Sequence, residues 1–132
     1  MDVAEGSGPS GQREGGPVEA SAALERWRVA QRWRRQADAT LASVGLTLTQ
    51  WLVLESTRTL IRETDDAVSQ KDVSVRVELD QMTVSQVMRV LDAKGLVDRG
   101  PSSEGSAYRI ILTPRGKELA ARGWERLEAL GR

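Results

Sequence analysis

The sequence contains no cysteine and no histidine, and these absences remove much of the usual chemistry of small proteins. Without cysteine there is no disulfide, no thiolate nucleophile and no zinc-finger site. Without histidine the chain lacks the commonest general base and the commonest metal ligand. The acidic pair Asp65-Asp66 lies in a polar stretch that is typical of a solvated loop. We therefore expect a protein that is not an enzyme and that holds no metal or other cofactor.

Long apolar runs are absent as well. No stretch of about 18 or more apolar residues occurs, so no membrane span is predicted. The first residues lack the charged-then-apolar pattern of a secretion signal, which predicts a cytoplasmic protein. Residues 1–18 are rich in Gly, Pro and Ser with almost no apolar side chain, so we expect a disordered tail. The remaining residues, 19–132, suit one folded domain.

The formal net charge is zero, which is not the pattern of a strongly basic nucleic-acid binder. Residues 1–23 hold one arginine against four carboxylates, a balance of 1 − 4 = −3, so the rest of the chain carries +3. Of the 19 basic residues, 16 are arginine. The arginine fork suits phosphate and base recognition, although a GC-rich genome would favour the same residue.

Residues 19–44 contain no Gly or Pro and favour one long helix. Its apolar residues lie near one face of this helix, and five arginines between positions 26 and 35 occupy the other sides. The apolar face requires a partner surface, either the core of this domain or a second copy of the chain; Trp and Arg favour the second slightly. Direct contact of the arginines with nucleic acid is a third possibility. The residues of the apolar face are Leu24, Trp27, Val29, Ala30, Trp33, Ala37, Leu41 and Val44.

Three further helices are marked by their start signals. Thr47 or Thr49 can cap a helix that ends near Glu63, with Trp51 and Leu54 facing inward. A capping box from Ser69 to Asp72 opens a short helix that ends near residue 78. Thr113 and Pro114 have the residue types of the N-cap and first position of a last helix. The apolar residues predicted to face inward from that last helix are Leu119, Ala120, Gly123, Leu127 and Leu130.

The stretch from Asp80 to Leu96 predicts another short helix, capped by Asp80 and ended by Gly95. Its apolar positions, which recur at helical spacing, are Val84, Val87, Met88 and Leu91. The other side carries Thr83, Ser85, Gln86 and Arg89, which can hydrogen-bond to base edges and phosphates. A solvated polar face is the commoner explanation of such a row when it is taken alone.

The spacing of these elements predicts a winged helix-turn-helix. Helices at about 70–78 and 81–94 are separated by a short turn, and in this motif the second helix enters the major groove. The residues that follow, LVDRG, PSSEGS and AYRIILT, have the composition of a strand, a turn and a second strand. The expected fold class is therefore mainly α with a small β-hairpin, an α+β arrangement.

Three segments resemble the MarR family of winged helix-turn-helix transcriptional regulators: 45–55, 69–99 and 109–119, which include KGLVDR and LTPRG. The resemblance implies a homodimer, a DNA-binding part over 46–112, and helical dimerisation parts over 19–44 and 114–131. It implies a regulator, in most members a repressor, that binds double-stranded DNA at a pseudo-palindrome. By position the implied base contacts are Met82, Thr83, Ser85, Gln86 and Arg89. The implied phosphate contacts are Ser69, Gln70 and Lys71, and the wing candidates are Ser102, Ser103 and Arg109.

The chain departs from the family pattern in three respects. Where the wing of relatives commonly carries Asp-x-Arg, this chain has Glu104-Gly105-Ser106, so the arginine is missing. The last long helix of many members is expected to be absent, and the net charge is zero. These departures keep open an alternative: a winged-helix module that binds a partner regulator instead of DNA. The family also implies a small-molecule effector of unknown identity. Trp27, Trp33 and Trp51 are candidates to line its pocket, although a place in the core or in an interface is the commoner role for each.

Overall fold

A computed structural model of the chain describes residues 17–101 and 108–131. Those residues form five α-helices and one two-stranded antiparallel sheet, which confirms the expected α+β fold class. A 3₁₀ turn, Ala42–Val44, follows the first helix. The elements in chain order are α1 (Pro17–Leu41), α2 (Leu48–Glu63), α3 (Gln70–Val77), α4 (Gln81–Ala93), β1 (Val97–Pro101), β2 (Tyr108–Leu112) and α5 (Pro114–Leu130).

The chain divides into two compact units, one that ends at Gln36 and one that spans Ala37–Arg132. In the first unit α1 begins at Pro17, within the stretch that was expected to be tail. Proline suits the first turn of a helix because its missing N–H would have no partner there. The rest of the expected tail, residues 1–16, lies outside the described residues. The predicted helix over 19–44 is also wrong at its other end, because the α-helix stops at Leu41 and gives way to the 3₁₀ turn.

Apolar side chains of α1 in the first unit are largely exposed. Trp27 is 61% exposed and Trp33 47%, with Leu24 at 48% and Val29 at 50%. The described chain therefore leaves this apolar face in solvent. An ion pair of 3.4 Å between Arg32 and Glu25 lies along the same helix, with both side chains exposed.

The core of the second unit forms around α2, which packs against α3, α4 and α5. Trp51 of α2 is buried, and its indole Nε1 donates a hydrogen bond of 3.0 Å to the Ala120 carbonyl of α5. The ring also stacks on Trp124, with 6.2 Å between ring centroids. Other fully buried side chains of this core are Leu41, Leu54, Val73, Val84, Met88, Leu91, Leu96 and Ile110.

The sequence left open whether Thr47 or Thr49 caps the start of α2, and the structure decides between them. Thr47 is the N-cap, because its hydroxyl accepts from the Gln50 N–H and its own N–H donates to the Gln50 side chain, both at 3.1 Å. Asp38 adds a further acceptor to this helix start, 2.7 Å from the Leu48 N–H. The capping box at the start of α3 and the Thr113 cap of α5 are confirmed as predicted.

The hairpin is fastened to the helical core at its base. Val97 of β1 lies opposite Leu112 of β2, and the Ile110 N–H donates to the Val68 carbonyl in the loop before α3, at 2.9 Å. Thr113, just after β2, donates through its hydroxyl to the Gly95 carbonyl at 2.7 Å. The strand positions therefore depend on contacts with the segments that flank α3 and α4.

No single helix among the described residues is long and apolar enough to cross a membrane. Among these residues, one pair of segments reaches the required length and apolar composition when the two are joined. They are Glu19–Val44 and Leu48–Glu63, which are separated by a bend. The second of these segments buries Trp51, Val53 and Leu54 in the protein core.

Glu78, in the turn between α3 and α4, has a left-handed backbone with φ of 58°. A residue with a Cβ pays about 1 kcal/mol or more for this conformation, whereas glycine does not. We therefore expect Glu78→Gly to raise the free energy of unfolding by roughly 0.5–1 kcal/mol in urea denaturation followed by tryptophan fluorescence. Gly95→Ala is the matched control, since Gly95 has φ of 75° with open space beside it and should lose a similar amount. A decrease in stability for Glu78→Gly would contradict this account.

Candidate nucleic-acid interface

Helix α4 is held at its start by the carboxylate of Asp80. Its Oδ1 accepts from the Thr83 N–H at 2.7 Å, and its Oδ2 accepts from the Thr83 hydroxyl at 2.9 Å. The hydrogen bonds from the Thr83 backbone and side chain hold the pKa of Asp80 below its ordinary value. Because the folded pKa is lowered, this cap stabilises the helix fully above the ordinary pKa and is lost as the pH falls through the lowered value. At neutral pH the cap is intact.

The inward face of α4 matches the predicted apolar stripe. Val84, Met88 and Leu91 are fully buried, and Val87 is half-buried against the same core. After the helix the left-handed Gly95 turns the chain, and the Leu96 N–H bonds to the Leu91 carbonyl at 2.9 Å. Burial of these side chains sets the rotation of α4, and so decides which residues face outward.

The outward face of α4 is a stripe of three side chains, Met82, Gln86 and Arg89. All three are exposed, Met82 at 72%. Their spacing of four and three residues places them one above another along the helix. This stripe can reach a surface that lies along α4, such as the edges of stacked base pairs.

Thr83 and Ser85 lie at the borders of this stripe instead of at its centre. Both are half-buried. The Thr83 hydroxyl donates to the Asp80 cap, and the Ser85 hydroxyl accepts a bond of 3.4 Å from Arg89. The expected row of four polar residues on one face is therefore corrected to an exposed stripe that includes Met82, with Thr83 and Ser85 beside it. The apolar stripe rotates the helix so that these two positions flank the core.

Three phosphate contacts are predicted at the start of α3, and two of them, Gln70 and Lys71, have backbone N–H groups that could bind a phosphate. By position, the N–H groups of Gln70 and Lys71 have no acceptor within the helix, and the Lys71 side chain is exposed. Ser69 is engaged in the capping box: its hydroxyl accepts from the Asp72 N–H at 3.2 Å, and its own N–H donates to the Asp72 carboxylate at 3.0 Å. The Asp72 charge reduces the positive field at this helix start.

Of the predicted wing residues, only Arg109 lies within the described part of the chain. It is exposed on β2, opposite Gly100 of β1. Ser102 and Ser103, and with them the Glu104-Gly105-Ser106 run, fall outside the described residues. Arg99 ties the hairpin to α4 through an ion pair of 3.3 Å with Asp92.

Two interactions that support the motif gave no sequence signal. The first is the ion pair between Arg99 of β1 and Asp92 of α4. The second joins α3 to α2: Arg76 donates a hydrogen bond of 3.2 Å to the Thr59 hydroxyl and forms an ion pair with Glu63. The partners in each case lie on different elements, so only the folded chain brings them together.

A cleft lined by both apolar and basic residues lies between α2, β2 and α5, with a volume of about 280 Å³. Its lining residues are Arg58, Ile61, Arg62, Leu112 and Lys117. Arg58 forms a two-bond contact with Glu55 at 2.8 Å, and this hydrogen bonding raises the pKa of Arg58 above its ordinary value. Trp51, one of the candidates to line a ligand pocket, is packed in the core, which is the commoner role expected for it. Among the described residues no group of three or more acidic, His or Cys side chains could hold a metal ion.

Comparison with known proteins agrees with this architecture. The family model described as the MarR family matches residues 44–106. An uncharacterized HTH-type transcriptional regulator of Bacillus subtilis, YdcH, is 31% identical over 93 residues, which cover 70% of this chain and 63% of that protein. The chain thus spans slightly less than two thirds of the length of this relative.

Solved structures resemble the chain in fold. The Staphylococcus aureus MepR–DNA complex has a TM-score of 0.69 at 23% identity and covers 83% of this chain and 76% of its own. The Mycobacterium tuberculosis regulator MosR, solved with DNA, has a TM-score of 0.69 at 20% identity, with 83% and 77% covered. CouR from Rhodococcus jostii, bound to p-coumaroyl-CoA, has a TM-score of 0.67 at 23% identity, with 82% and 72% covered. The family match covers the helix-turn-helix and the first strand of the hairpin, and over these residues the chain is similar to the MarR family.

Proposed function

We propose that this protein is a sequence-specific, DNA-binding transcriptional regulator that acts as a homodimer. The observation that carries the proposal is the exposed stripe of Met82, Gln86 and Arg89 on the second helix of a helix-turn-helix. In this motif the second helix lies in the major groove, where amide and guanidinium groups distinguish base pairs by their hydrogen-bonding edges.

Phosphate contacts would orient the protein on the duplex. The unpartnered N–H groups at Gln70 and Lys71 suit a phosphate oxygen, and the Lys71 ammonium adds charge at the same place. The exposed Arg109 on β2 would supply a further contact from the hairpin. The capped Ser69 is the weakest of the predicted phosphate contacts, because its hydroxyl and N–H already have partners.

The exposed apolar face of α1 supports the homodimer. Leu24, Trp27, Val29 and Trp33 are each about half exposed or more in a single copy, and large apolar side chains clustered on one helix are typical of an interface. A two-fold dimer would present two α4 helices to a pseudo-palindromic site. Binding of such a site at a promoter would repress transcription by excluding polymerase.

The relatives support the same function. The B. subtilis protein is described as an HTH-type transcriptional regulator, and MepR and MosR were each solved with DNA. A small-molecule effector stays a prediction for this chain. The cleft lined by Arg58, Ile61, Arg62, Leu112 and Lys117 is the place where we would seek it, since it presents both apolar and basic side chains.

The alternative, a module that binds a partner protein, is supported by charge. The chain has no net charge, and Arg89 is the only basic residue within α4. A surface so weakly basic would attract a DNA duplex less than most DNA-binding domains do.

Selection from random duplex DNA, followed by a salt titration on the enriched sequence, tests the proposal. We expect an enriched pseudo-palindrome whose half-sites are about one helical turn apart. Affinity should fall by roughly 10³-fold or more between 50 and 200 mM salt if about six phosphates are contacted. A protein that retains no DNA even at low salt would belong to the alternative class.

A further inference from the structure

We propose that Met82 recognises the C5-methyl group of a thymine, and that it is the apolar specificity contact of α4. The inference rests on the proposed function and deepens it, because it names the base that one residue selects. It arises from a single contrast on the outward stripe: the amide of Gln86 and the guanidinium of Arg89 can form strong hydrogen bonds, whereas the thioether of Met82 cannot.

The exposure of Met82 sets it apart from the other methionine in α4. Met88 is fully buried in the core, whereas Met82 is 72% exposed at the first turn of the same helix. A thioether side chain has weak hydrogen-bonding capacity and cannot discriminate base edges by donor and acceptor pattern. The one apolar feature that base pairs display in the major groove is the thymine methyl group. Met82 is flexible enough to fit against it.

The spacing along the stripe also limits where that thymine lies. Met82 and Gln86 are four residues apart, which corresponds to roughly 6 Å along the helix axis. Gln86 has the side chain that pairs with the N6 and N7 edge of adenine, and Arg89 the one that pairs with the O6 and N7 edge of guanine. A half-site should therefore contain a thymine, an adenine and a guanine that lie within a few base pairs of one another.

The neighbours of Met82 are poorer candidates for this contact. Thr83 also carries a methyl group, but its hydroxyl is bonded to Asp80 and the residue is half-buried. Ser85 has no methyl group and accepts a bond from Arg89. On this face Met82 alone combines an apolar end with high exposure.

Replacement of thymine by deoxyuridine isolates the contact, because it removes the methyl group and leaves every hydrogen-bonding group of the base in place. Each thymine of the selected operator is replaced in turn, and the affinity is measured. We expect one position per half-site at which the wild-type protein loses about fourfold in affinity, the factor that about 0.8 kcal/mol for one buried carbon group produces. The Met82→Ala variant should bind the thymine and deoxyuridine operators equally.

Val75→Ala is the matched control. Val75 is 70% exposed on α3, so its truncation removes a similarly exposed apolar side chain outside the stripe. This variant should keep the full preference for thymine. Circular dichroism would verify that both variants fold, as expected for exposed positions.

The outcomes separate the inference from the function on which it rests. If selection enriches no sequence, the proposed function fails, and the inference with it. If a sequence is enriched but every deoxyuridine operator binds as well as its parent, the inference alone is overturned. It is likewise overturned if Met82→Ala retains the thymine preference of the wild type.

Discussion

Replacing Arg89 by alanine is expected to lower affinity for the selected operator by roughly 5- to 150-fold per half-site. This range corresponds to the 1–3 kcal/mol by which one bidentate contact distinguishes the right base. Arg89 is exposed on α4, and its bond to Ser85 is long at 3.4 Å, so the guanidinium can turn towards a base without losing a strong partner. The loss should be largest where the operator carries the guanine that Arg89 contacts. Competition against operators altered one base pair at a time would measure it.

The control for Arg89→Ala is Arg115→Ala, which removes the same charge from α5. Arg115 is exposed and has only a weak ion pair, 3.8 Å, with Glu118. It should change affinity little and leave the sequence preference intact. Equal loss in both variants would show that binding responds to overall charge and that α4 does not discriminate between bases.

Replacing Gly123 by alanine is expected to destabilise the protein by about 1–3 kcal/mol, although helix propensity alone predicts a gain of about 1 kcal/mol. Gly123 lies in α5 against the indole of Trp51, and a Cβ there would overlap the indole ring and approach Leu41 at 3.1 Å. The indole cannot easily move away, because its Nε1 bonds to Ala120 and its ring stacks on Trp124. The steric cost therefore exceeds the conformational gain.

Chemical denaturation of Gly123→Ala beside Gly131→Ala would test this balance. At Gly131 the nearest atom to an added Cβ is 3.6 Å away, an ordinary contact, and the backbone is right-handed. The same substitution should therefore be neutral or slightly stabilising there. A more stable Gly123→Ala protein would mean that α5 and α2 do not pack as closely as described.

Local signals predicted the helices well. Asp80, Ser69 and Thr113 each start a helix with a capping side chain, because this interaction involves only residues within one turn of each other. The start of α2 shows the limit of such signals. Thr47 and Thr49 are both good caps in isolation. The choice of Thr47 coincides with a hydrogen bond from the Leu48 N–H to Asp38, which lies ten positions before Leu48.

The sequence predicted that the candidate site lies on α4, but it did not predict the rotation of that helix about its axis. The sequence placed Thr83, Ser85, Gln86 and Arg89 on one polar face of the helix. The core contacts of Val84, Met88 and Leu91 instead place Thr83 and Ser85 at the borders and leave Met82 72% exposed. Such a rotation depends on how α4 packs against α2 and α3, which periodicity alone describes only approximately.

The order of the elements, the caps of α3, α4 and α5, the apolar stripe of α4 and the resemblance to the MarR family could all be predicted from the amino-acid sequence. These features depend on neighbours along the chain, where one residue type fits one local geometry. The folded structure was needed to show that Thr83 and Ser85 are half-buried beside the stripe, that Gly123 lies against Trp51, and that Arg76 and Arg99 form ion pairs with neighbouring elements. Each of these depends on residues that meet across elements, where burial and packing, and not local propensity, set the free energy.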